Sequence, residues 1–155
     1  MYFKNALIVL ILTIPVFGFS QIVIDDVGDG WKARVERAIL LVKDTDSVSY
    51  QTLITNCKRI EFIMGDRSTN LPPNTIVINT KDVTSPSINN LAAVLVHESY
   101  HLYLWNNLIK FTAREEELMC YMHEYNFLCK LTDVEDWLFL NAVNQIIQLK
   151  NTRNK

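Results

Sequence analysis

The stretch Leu91–Trp105, LAAVLVHESYHLYLW, is apolar on nearly every side yet carries two histidines and a glutamate within five positions. A helix that is apolar all round has to be buried, and buried ionisable groups need a hydrogen-bonded partner or a metal ion. The chain must therefore build a core around this segment and supply partners for His97, Glu98 and His101. At 155 residues and 18.0 kDa it has enough material for one domain with a single core, and too little for two.

Charge excludes one broad class of partner. Fifteen basic residues against seventeen acidic ones give a net charge of -2, with no basic run to grip a phosphate backbone, so nucleic acid is not an expected partner. A 49% hydrophobic and 21% charged composition also excludes intrinsic disorder. Residues 1–20 have the form of an export signal: Lys4 precedes the apolar run Ala6–Phe17, and the small residues Gly18 and Ser20 stand before a cleavage point at Gln21. The expected mature chain is 21–155, periplasmic or secreted. No cysteine follows the cut and no other stretch is long enough to span a bilayer, so no stable membrane anchor is expected after cleavage. Of the three cysteines, Cys120 and Cys129 lie on one expected helix, about 13 Å apart along its axis, too far to bridge. Either Cys57 pairs with one of them or all three are unpaired and buried.

Periodicity predicts an α+β domain. Trp31–Lys43 has an apolar stripe at Val35, Ala38, Ile39 and Val42 and ends at Asp44–Asp46, with a short helix expected over Ser47–Cys57. Ile60–Met64 and Thr75–Asn79 read as two strands separated by a turn-forming Gly65–Asn74. Three helices should follow. Ser85-Pro86 is the expected start of the one running to about Trp105. Thr112-x-x-Glu115 forms a capping box for a helix to about Leu131, and Thr132-x-x-Glu135 for a last helix to about Lys150 that packs by Trp137, Leu140, Val143 and Ile147.

His97 and His101, one turn apart on a helix, can reach a single cation, and Glu98 can lean toward its open side as a base for a metal-activated water. A catalytic zinc usually takes a third protein ligand, and the next helix, AREEELMCYMHEYNFL, offers several. Glu115 is committed to its capping box, and Glu116 projects about a hundred degrees from Glu117. Glu117 is the preferred ligand. Glu124 remains the alternative, either as ligand or as an acceptor for a histidine N–H. His123 reads as a partly exposed helix residue.

These residues resemble the zincin metallopeptidases, in the gluzincin-like arrangement where His-Glu-x-x-His is followed by a glutamate on a downstream helix. Glu117-x-x-Cys120 is similar to the Glu-x-x-Ala pattern of small bacterial members, with cysteine replacing alanine. The resemblance covers Thr75 to Leu131. It implies a zincin-like α+β fold, with a small sheet packed on a buried active-site helix. It also implies zinc held by His97, His101 and Glu117, and Glu98 as general base and acid. An edge strand, for which Thr75–Asn79 is the matching segment, would hold an extended peptide or protein substrate by main-chain hydrogen bonds. Such enzymes also carry a donor for the oxyanion, and Tyr100, Tyr103, Tyr121, His123 and Tyr125 all stay open for that role.

The expected function is that of an exported zinc-dependent peptidase. The alternative is a non-catalytic binding protein on the same scaffold.

Overall fold

A computed structural model describes residues 22–151, so the export signal expected at 1–20 lies outside the described residues. The described chain is α+β. It begins with β1 (Val23–Ile24), followed by the Asp25–Gly30 turn and then α1 (Trp31–Thr45). Gly30 stands at the start of α1 with φ 73°, in the left-handed region that a side chain would resist. The predicted stripe is the buried one: Val35, Ala38 and Val42 face the core.

Asp46 ends α1 and starts α2 (Ser47–Asn56). Its extended backbone interrupts the helix, and its carboxylate accepts from the Val48 N–H at 3.1 Å and the Ser49 hydroxyl at 2.8 Å. Lys130, far along the chain, reaches the same carboxylate at 2.9 Å. Burial pushes the Asp46 carboxyl up, but the Lys130 ammonium and the Ser49 and Val48 donors outweigh it and hold the group below its usual 3.8. Because the folded value is the lower one, this contribution is present above the unfolded value and disappears as pH falls through the folded one. Asp46→Ala should therefore cost about 1–3 kcal/mol at neutral pH. Urea unfolding at neutral pH and at progressively lower pH should show that difference shrinking as the solution becomes acidic.

The sheet has four strands in the order β1-β2-β4-β3, with β2 at Arg59–Ile63, β3 at Thr69–Leu71 and β4 at Thr75–Asn79. β1, β2 and β4 run parallel, and β3 pairs antiparallel with β4 through Asn70↔Ile76. Two expectations are corrected. Gly65–Asn74 is not wholly a turn, because Thr69–Leu71 finds hydrogen-bonding partners on β4 that no local signal reveals. Nor is Thr75–Asn79 an edge strand. Its continuous run of buried residues from Ile76 to Asn79 is the pattern of an interior strand, and the edge on that side of the sheet is β3.

A short α3 (Thr80–Thr84) leads into α4 (Ile88–Asn106), which is capped by the Ser87 hydroxyl accepting from the Asn90 N–H. Ser85-Pro86 does not start α4. The residue before a proline is driven to extended backbone, and Ser85, at φ -51° and ψ 136°, closes α3 while its carbonyl accepts from Arg34. As its composition requires, α4 is the central element. It packs on α1, α2, β3, β4 and α5 (Ala113–Leu128).

The Thr112–Glu115 capping box is present at the head of α5. The one expected at Thr132 is not: Glu135 accepts instead from the Asn89 side chain at 2.9 Å, and α6 (Asp136–Asn151) begins after it. The packing face of α6 also differs from expectation. Leu138 and Ala142, one turn apart, are buried, whereas Trp137, Leu140 and Ile147 are exposed. α6 lies mainly against α5, with Leu138 and Ala142 deepest in the seam and the half-buried Phe139 and Val143 beside them, Phe139 packing on Tyr125. All three cysteines are free, with Cys57 and Cys120 buried and Cys129 exposed.

Candidate metal centre

A cavity of about 470 Å³ opens where α4, β3 and α5 meet, and His97, Glu98, His101, Glu116, Glu117, Tyr121 and Glu124 all line it. α4 supplies the first three because residues 97, 98 and 101 lie on the side of the helix that turns toward α5 and β3. His97, Glu98 and His101 are each buried.

Glu117 faces both rings at once. Its two carboxylate oxygens lie 3.5 Å from His97 Nε2 and 3.6 Å from His101 Nε2. The opposite ring nitrogens are held by other acids, His97 Nδ1 by Glu124 at 2.9 Å and His101 Nδ1 by Glu116 at 2.7 Å. A carboxylate on Nδ1 fixes that nitrogen as the N–H, so Nε2 is the nitrogen that can take either a second proton or a cation. Glu124 thus takes the second of its two expected roles. Glu116, set aside in the sequence because it diverges from Glu117, uses that divergence to reach the other nitrogen of the same imidazole. What its sequence position could not reveal is that α5 approaches His101 along the ring edge.

Four carboxylates converging on two imidazoles create a strongly negative field. Burial lowers the His97 pKa, but Glu117 and Glu124, with Glu98 behind them, more than reverse this and carry it to about 10. The Glu117 carboxyl is held low, first by its contact with His97. The site therefore demands positive charge, from protons on the rings or from a metal ion.

Cys120, fully buried one turn along from Glu117, completes a compact group: the ligand atoms of His97, His101 and Cys120 all lie within 4.8 Å of one another. This buried group can bind a metal ion. Burial pushes the Cys120 thiol far up, and the neighbouring glutamates reinforce it, so the sulfur keeps its proton unless a cation displaces it.

Of the candidate oxyanion donors, only Tyr121 lines the cavity, its ring packed edge-on to His97 at 4.5 Å between centroids. Burial pushes its phenol up to about 12, so it is a neutral donor. Tyr100 stacks on Tyr103 and His123, His123 lies 3.2 Å from the Ser49 hydroxyl, and Tyr125 packs on Phe139. Two cavity residues escaped the sequence. Arg67 is the sole lysine or arginine among the described residues lining the cavity, and Asn70 donates from β3 to Glu98 Oε2 at 3.1 Å. Both fall in the segment expected to be a turn, where nothing local distinguishes them.

No protein-family model, curated protein or solved structure matches the chain.

Proposed function

We propose that the protein is an exported zinc-dependent peptidase, with His97, His101 and Glu117 as the metal ligands and Glu98 as the general base. One observation carries this: Glu117 spans the two Nε2 atoms while separate carboxylates hold both Nδ1 atoms. The donor set fits zinc, which is commonly held by two imidazoles and a carboxylate with a fourth position open. When bound, zinc supplies Lewis acidity, lowering the pKa of a coordinated water to about 7 and polarising the carbonyl to be attacked.

The remaining chemistry belongs to the chain. Glu98 accepts the proton of the water whose oxygen adds to the peptide carbonyl carbon, then delivers it to the leaving nitrogen as the C–N bond breaks. Tyr121 and Arg67 are the cavity donors for the negative charge that develops on the carbonyl oxygen. The unpaired side of β3 is the edge along which an extended peptide can add as a further strand. Among the described residues no helix is long and apolar enough to cross a membrane.

Cys120 favours a second role. If its sulfur, rather than the Glu117 carboxylate, joins His97 and His101, the ion sits in a buried thiolate and imidazole set of the kind that structural zinc centres use, and the domain binds a partner without cleaving it.

One experiment separates the two. Mature protein should contain about one zinc per chain and cleave an internally quenched peptide library, with activity lost to a chelator and restored by zinc. Metal without cleavage supports the binding role. Absence of both overturns the metal centre altogether.

A further inference from the structure

The peptidase proposal accounts for Glu98 but not for what holds it. Glu98 is buried, and among the described residues its side chain has one hydrogen-bond partner, the Asn70 carboxamide, 3.1 Å from Oε2. A carboxylate rotates freely about its last bond unless a donor claims one oxygen. By taking Oε2, the amide leaves Oε1 as the proton acceptor and sets the plane in which it points.

Asn70 is also the middle residue of β3, a strand of three residues at the edge of the sheet, paired on one side only. So short an edge strand is weakly held by itself. A peptide added along its open side would give it a second set of main-chain hydrogen bonds and steady the residue that steadies Glu98. We propose that Asn70 is a positioning residue that couples occupation of the β3 edge to the alignment of Glu98. This rests on the peptidase proposal and extends it: full turnover requires a substrate long enough to pair with β3.

The effect should be on the chemical step, because a reacting group out of line by about an ångström loses up to roughly a hundredfold in rate. Steady-state kinetics of zinc-loaded mature protein, on the library peptide that wild type cleaves best, should show Asn70→Ala lowering kcat about 10–100-fold with KM within about threefold. Asn70→Asp, which keeps the shape but removes the donor and sets a carboxylate against Glu98, should fall at least as far. Asn70→Gln, which keeps the amide, should recover part of the loss. Zinc content should match wild type in Asn70→Ala, and its melting temperature should fall only as far as the loss of one hydrogen bond to a buried carboxylate requires.

An unchanged kcat in Asn70→Ala overturns the coupling. So does a loss confined to KM, which would make Asn70 a substrate contact, or a parallel loss of zinc or unfolding at the assay temperature, which would make it structural. If wild type cleaves nothing, the peptidase proposal fails and this one with it. If wild type cleaves and Asn70→Ala cleaves equally well, only the coupling fails.

Discussion

Glu98→Gln should retain its zinc and lose hydrolysis by about 10²–10⁴-fold, the usual contribution of a positioned general base. Glutamine has the shape of glutamate, and its carbonyl oxygen can still accept from Asn70, so the packing around the buried residue survives. What it lacks is a basic oxygen. The expected loss corresponds to about 3–5 kcal/mol of transition-state stabilisation. The decisive measurement pairs metal analysis with peptide cleavage on the same preparation. Unaltered cleavage by this variant would remove Glu98 from the reaction, and loss of the metal would show that the carboxylate supports the centre rather than the chemistry.

His97→Ala should have the larger structural effect. It removes one Nε2 from the centre and strips Glu124 of its ring partner at 2.9 Å, leaving a buried carboxylate without compensation. Breaking a buried charged pair from one side typically costs about 3–5 kcal/mol. The stabilisation contributed by bound zinc goes as well, about 4 kcal/mol when free metal exceeds the dissociation constant by a thousandfold. The variant should therefore contain little zinc, melt well below wild type, and show no rise in melting temperature when zinc is added. His123→Ala provides the contrast. His123 stacks on Tyr100 and contacts Ser49 away from the cavity, so that variant should keep its zinc. Full metal content in His97→Ala would show that the ligands are wrongly assigned.

Both predictions depend on how α4 meets its neighbours. The first requires the Glu98 carboxylate to face an open cavity while Asn70 holds it, and the second requires α5 to bring Glu117 and Glu124 to opposite nitrogens of one ring. The negative field favours positive charge between these two helices. His97 holds a proton well beyond its usual range, a response that offsets part of the repulsion among the four acids.

Local sequence was sufficient wherever the governing interactions span a turn or less. His97 and His101 share a face because they are one turn apart, and burial of their helix follows from its apolar surroundings. The Thr112–Glu115 box starts α5, and the spacing of Val35, Ala38 and Val42 identifies the buried stripe of α1. β-branched residues mark β2 and β4. Only the tertiary structure decided which strand forms the edge, which side of α6 is covered, and that Glu116 and Asn70 belong to the centre. The physical reason is one of range. Helical and strand periodicity fix directions relative to a residue's own axis, whereas a 2.7 Å contact from Glu116 to His101 or a 3.1 Å contact from Asn70 to Glu98 depends on where two separate axes cross.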